Sequence, residues 1–163
     1  MKHKGLKIYH LAQSYAEKWV PNPDRDIMIS ISQPENREDG LFIPRLNESW
    51  KHIYCEDFHD IDVEEKGFVV FNEDMANNMI DFLEKYRIGI SNNEYDYLVI
   101  HCWAGISRSA AVAKFADEFY GINEFPEKYT LYNKLVYTTL RNIWEKRRYD
   151  LFKKELGKGD DKK

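Results

Sequence analysis

The stretch between residues 97 and 119 constrains this chain more than any other. Tyr97-Leu98-Val99-Ile100 is an unbroken apolar run of strand length, the pattern of a strand covered on both sides within a sheet. Beyond it Val112, Phe115, Ala116 and Phe119 recur at helical spacing. So short an interval leaves residues 102–108 only a tight strand-to-helix turn, and Gly105 is available for an unusual backbone angle there. A buried strand running directly into a helix is a building unit of α/β sheets.

The turn itself reads His101-Cys102-Trp103-Ala104-Gly105-Ile106-Ser107-Arg108-Ser109. The first amides of the helix that follows have no intrahelical acceptors, and the positive end of the helix dipole lies beside them. Together they form an anion site suited to phosphate. Arg108 adds a planar fork of donors that can grip two oxygens. The candidate phosphate-binding residues are therefore Trp103, Ala104, Gly105, Ile106, Ser107 and Arg108. The same field favours thiolate over thiol at Cys102, since cysteine at a helix N-terminus ionises well below its usual ~8.5. Ser109 can donate a hydrogen bond to that sulfur, which helps when sulfur must leave. A phosphate cradle and an activated nucleophile thus coincide.

On those residues, H-C-x-x-G-x-x-R-S resembles the signature of cysteine-dependent protein tyrosine and dual-specificity phosphatases, and the chain is similar to small bacterial- or phage-type members. The resemblance covers roughly residues 27–149 and is strongest over 53–119. It implies a two-step reaction through a phosphocysteine on Cys102, with Arg108 as anion clamp, Ser109 as helper, and neither metal nor cofactor. It also implies an aspartic acid upstream, on a separate loop, that protonates the leaving oxygen. Glu56-Asp57-Phe58-His59-Asp60-Ile61-Asp62 offers three aspartates. Phe-His-Asp-Ile resembles a segment of small bacterial-type tyrosine phosphatases and points to Asp60, which is preferred. Alignment on Glu-Asp points instead to Asp57, the alternative. Residues 63–71 look like an insertion, and Asp62, Glu64 and Glu65 read as solvated loop charges.

The chain has 163 residues, enough for one domain over 1–156, with a disordered tail expected over 157–163. Apolar residues make up 43% and charged residues 32%, as in a folded soluble protein. A net charge of −4 argues against a general nucleic-acid or membrane-surface binder. No apolar stretch reaches membrane-spanning length and Met1-Lys2-His3-Lys4 lacks a signal-peptide core. The expectation is a cytoplasmic monomer, in the reducing compartment that a catalytic thiolate needs. Two cysteines without clustered histidines or carboxylates give no zinc pattern. The expected partner is a phosphorylated protein, with phosphotyrosine leading and phosphoserine or phosphothreonine open. Trp103, Ala104, Ile106 and Ser107 carry no charge, unlike the lysines that phosphoinositide phosphatases of the superfamily place in this loop. A phosphoinositide or RNA 5′-end substrate, or a phosphate-binding pseudo-enzyme, remain the alternatives.

Periodicity elsewhere outlines the scaffold. Residues 6–9 read as a strand, 10–19 as a helix, 26–32 as an alternating strand, and 33–49 as mostly loop. Strand 51–56 delivers the aspartates. Ala76, Met79, Ile80 and Leu83 define an amphipathic helix capped by Asn72 and ending near Gly89. A last helix is expected from Glu127 into the 150s, with Leu135, Val136, Thr139, Leu140 and Ile143 inward. The fold expected is α/β, a central, mostly parallel four- to five-stranded sheet flanked by helices, dual-specificity-phosphatase-like. Cys55 reads as a core thiol, with a disulfide to Cys102 after oxidation as the second reading. His101 is expected to fix the loop, Trp103 and Ile106 to line the pocket or pack beneath it, and Arg37 and Arg45 to be solvated.

Overall fold

The computed structural model describes residues 5–34 and 43–160, the last two without side chains, so Arg37 lies outside the described residues. Four strands, β1 (Lys7–Ala12), β2 (Asp26–Ser32), β3 (His52–Asp57) and β4 (Tyr97–Cys102), form one sheet in the order β1-β4-β2-β3. Every pairing is parallel. The helices are α1 (Gln13–Lys18), α2 (Glu73–Lys85), α3 (Arg87–Ser91), α4 (Arg108–Phe119) and α5 (Lys134–Asp160). The fold is thus α/β, and the sheet has four strands among the described residues.

Strand alternation sorts the core into two layers. Ile27, Ile29, Ile31, Leu98, Ile100 and Cys102 face one side, where they meet Met79, Leu83, Phe115 and Leu140 of α2, α4 and α5. Met28 and Val99 face the other, against Ala16 of α1 and Trp50. β2 lies between two strands with both layers closed over it, so all seven of its residues are buried. Its alternation of Ile with Ser is therefore not an exposed face. Ser30 and Ser32 turn toward the thinner α1 layer, and Asp26 accepts from Trp19 Nε1 at 3.3 Å and the Asn22 amide at 2.9 Å.

α2 matches expectation closely. Asn72 Oδ1 accepts from the Met75 amide at 3.0 Å, Glu73 and Asp74 occupy the first turn, and Ala76, Met79, Ile80 and Leu83 are buried. It stops at Lys85, and the short α3 carries the chain past Gly89.

Three boundaries move. Residues 10–12 belong to β1, because pairing with β4 continues until Ala12 lies beside Cys102. α5 starts at Lys134 and not Glu127, since Asn133 is its cap: its Oδ1 accepts from the Val136 amide at 3.1 Å. The tail expected to be disordered from Gly157 is helical to Asp160, with residues 161–163 outside those described. Lys158 in that last turn suits the negative end of the helix dipole. Cys55 is not in the core. It is exposed on edge strand β3, and neither Cys55 nor Cys102 is in a disulfide.

Candidate active site

Cys102 ends β4 and Arg108 opens α4, so the intervening loop lies at the carboxyl end of the sheet, between a buried strand and a helix N-terminus. Cys102 is only 2% exposed. Its sulfur lies 3.3 Å from the Gly105 amide, which donates to it, and 3.2 Å from Ser109 Oγ. With sulfur as thiolate, the Ser109 hydroxyl is the donor of that second pair. Gly105 takes φ +72°, and a Cβ there would come within 2.3 Å of the Ala12 amide nitrogen and 2.4 Å of the Leu11 carbonyl carbon. Both the backbone angle and the contact with β1 exclude a side chain.

The loop is held by its carbonyls. Those of Trp103, Gly105, Ile106 and Ser107 accept, respectively, from the Gln13 amide (3.2 Å), His10 Nδ1 (2.8 Å), Tyr129 Oη (2.5 Å) and the Asn133 amide (3.0 Å). A carbonyl only accepts, so the proton of that His10 bond sits on Nδ1. In a trans peptide the C=O and the next N–H point in opposite directions. Pulling four carbonyls onto donors outside the loop therefore turns the amides of Ala104, Ile106, Ser107 and Arg108 the other way. Those amides are thus turned away from the donors that hold the carbonyls, an orientation that leaves them open to an anion.

Arg108 is 3% exposed. Its Nη1 donates to the Phe58 carbonyl at 2.8 Å, while its buried Nε has no hydrogen-bond partner among the described residues. An unmet buried guanidinium donor is costly, which favours an oxygen anion beside it. His101 is completely buried, and its Nε2 lies 2.6 Å from Ser30 Oγ across the neighbouring strand. Burial drives its pKa down to about 4, and the nearby Arg108 charge acts in the same direction. It is a neutral imidazole on the sheet face opposite the Cys102 sulfur, and so supplies no positive charge to it.

Of the aspartates, the structure brings Asp60 to the loop. Its Oδ1 accepts from Ser107 Oγ and from Asn133 Nδ2, both at 2.8 Å. Asn133 Nδ2 also donates to the Ile61 carbonyl at 3.0 Å. Asp57 ends β3 opposite Ser32, and by alternation shares the face of Cys55, away from the layer that holds Cys102. Asp62 lines a cleft of about 410 Å³ beside Asp60, Ser107 and Asn133, together with Glu65 and Lys134. The 63–71 segment is stapled to the acid loop by His59: its amide donates to the Val69 carbonyl and its Nδ1 accepts from the Val69 amide, both at 2.8 Å. Phe71 then enters the core, its ring centroid 4.9 Å from that of Phe58.

Trp103 and Ile106 are about half exposed, at 52% and 47%, and Ala104 is exposed too, so these side chains form the rim and are not packed beneath the loop. Four residues essential to the geometry were not singled out from the sequence: His10, His59, Tyr129 and Asn133. Only Asn133 carried a readable signal, as an asparagine preceding a helical apolar pattern. Among the described residues no group of three or more histidines, cysteines or carboxylates is placed to hold a metal ion. No protein-family model matches the chain, and no curated protein matches it. The resemblance therefore rests on the motif residues themselves.

Proposed function

We propose that the chain is a phosphomonoester hydrolase working through a phosphocysteine, with phosphotyrosine in proteins as its substrate and phosphoserine or phosphothreonine as secondary ones. The observation that carries this reading is the convergence at Cys102. Its sulfur accepts from the Gly105 amide and meets Ser109 Oγ, next to a buried Arg108 with an unmatched Nε.

In the proposed reaction the thiolate attacks phosphorus in line while the P–O bond to the leaving oxygen breaks. Asp60 gives its proton to that oxygen. Loop amides and Arg108 hold the equatorial oxygens through the transition state. Asp60, now a carboxylate, takes a proton from water. The water oxygen bonds to phosphorus, the S–P bond breaks, and the thiolate returns with the Ser109 hydroxyl bonded to it. The uncharged rim of Trp103, Ala104 and Ile106 supports a singly phosphorylated substrate over a polyphosphorylated head group. A reducing, cytoplasmic location belongs to the same proposal, because the nucleophile must stay a free thiolate. Among the described residues no helix is long and apolar enough to cross a membrane.

Hydrolysis of an aryl phosphate tests the reading. Cys102→Ser and Arg108→Lys should each lower kcat/KM by several orders of magnitude. Full activity in Cys102→Ser overturns the nucleophile assignment. Asp60→Asn should abolish the basic limb of the pH–rate profile and Asp57→Asn should leave it. The opposite pair of results transfers the acid role to Asp57. A panel of phosphotyrosine peptides, inositol phospholipids and triphosphorylated RNA then ranks the substrates.

A further inference from the structure

Asn133 sits where three elements meet, and every polar atom it owns is used. Its backbone N–H donates to the Ser107 carbonyl at 3.0 Å, which ties it to the cysteine loop. Its Oδ1 accepts from the Val136 amide at 3.1 Å and so starts α5. Its Nδ2 donates twice, to Asp60 Oδ1 at 2.8 Å and to the Ile61 carbonyl at 3.0 Å. The residue is 6% exposed. A side-chain amide has one acceptor and two donors. Here capping takes the acceptor side and the acid loop takes both donor contacts.

Such an arrangement has a chemical consequence for Asp60. Ser107 and Asn133 both donate to the same carboxyl oxygen, Oδ1. An oxygen that already accepts two hydrogen bonds is a poor place for a proton, so the acidic proton belongs on Oδ2. The Ile61 contact fixes the backbone one residue further on, which limits rotation of the loop about Asp60. Arg108 closes the other end through the Phe58 carbonyl. The acid loop is thereby latched onto the cysteine loop at residues 58, 60 and 61.

We infer that Asn133 is a positioning residue for proton donation: it selects the carboxyl oxygen of Asp60 that carries the proton and holds that group against the cysteine loop. This rests on the phosphatase reading above and extends it to the residue that sets the acid geometry. Asn133 does not touch the reacting atoms. Its effect passes through Asp60, and this predicts a leaving-group signature. Esters of acidic phenols expel their oxygen without a proton, whereas phenyl phosphate and phosphotyrosine require one.

Asn133→Ser separates this role from a structural one, because the serine oxygen still caps α5 while the amide donors are lost. In that variant kcat/KM for phenyl phosphate should fall on the order of ten- to a hundred-fold, the size of effect that displacement of a catalytic group produces. For 2,4-dinitrophenyl phosphate it should change less than about threefold, since general acid help is then superfluous. In an Asp60→Asn background Asn133→Ser should cost nothing further on phenyl phosphate. An equal loss on both esters, or an undiminished loss in the Asp60→Asn background, overturns the positioning role and makes Asn133 a structural cap only. No loss on either ester overturns it as well. A wild-type protein that hydrolyses neither ester defeats the phosphatase reading itself, a result distinct from all of these.

Discussion

At the scale of single residues, chemistry narrows the choice sharply at some positions and hardly at all at others. The proposed reaction asks for a thiol, an arginine fork and a hydroxyl at one fixed spacing, so Cys102, Arg108 and Ser109 stand out in the sequence as its candidates. Gly105 was readable for its backbone freedom, but its contact with the Leu11 and Ala12 backbone was not, since that depends on β1 lying beside β4. His101 was expected to fix the loop; its burial and bond to Ser30 add a pH dependence. Its pKa falls from an ordinary 6.5 to about 4 on folding, chiefly through burial. Between those values the unfolded chain binds a proton that the folded protein does not. Stability is therefore full above the unfolded value and is lost as pH falls through this window. Between pH 7 and pH 5 the loss should be about 2 kcal/mol. Urea unfolding of the wild type and of His101→Asn at the two pH values measures it. The variant should lack this share of the drop, and an identical drop in both proteins overturns the assignment.

At the scale of elements, what was legible depended on whether local signals agreed. α2 had an N-cap, acidic first-turn residues and a regular apolar stripe, and all of these pointed to one helix. Asn72→Ala should remove only the cap and cost about 1 kcal/mol in chemical denaturation. It should leave kcat/KM unchanged, because Asn72 contacts neither the cysteine loop nor Asp60; a loss of activity without a loss of stability would contradict this. α5 starts later than its sequence pattern predicts, because residues 127–132 are compatible with a helix in isolation. They are diverted by long-range bonds instead. Tyr129 Oη reaches the Ile106 carbonyl, and Asn133 is drawn to Ser107. β1 outruns its local pattern for the same kind of reason: His10 and Ala12 pair with Ile100 and Cys102, partners 90 residues away. Local periodicity carries no information about such partners, and these are the contacts that complete the site.

For the molecule as a whole, sheet order decides which side chains can meet. α/β class and parallel strands followed from the alternation of elements, but not the order β1-β4-β2-β3, which sets what lies beside Cys102. A disulfide between Cys55 and Cys102, the second reading of Cys55 from sequence, needs β3 and β4 to be neighbours. β2 lies between them, with Ser30 opposite both Cys55 and His101. Two strand spacings put Cys55 roughly 10 Å from the β4 backbone, beyond the ~7 Å limit for a bridge. Alternation adds a second barrier. Cys55 shares the face of Ser30 and His101, so Cys102, one residue on, turns to the opposite layer with Ile100 and Leu98. Forming the bond would require β3 to leave the sheet and expose the core beneath it. Mild oxidation of the folded protein should therefore give no intramolecular cross-link. Cys55, exposed on its edge strand, should remain open to alkylation under native conditions. Intact-mass analysis of oxidised monomer checks both statements. A loss of two hydrogens, with Cys55 and Cys102 joined in one peptide after digestion, would mean that β3 and β4 can come together and that this sheet order does not describe the oxidised protein.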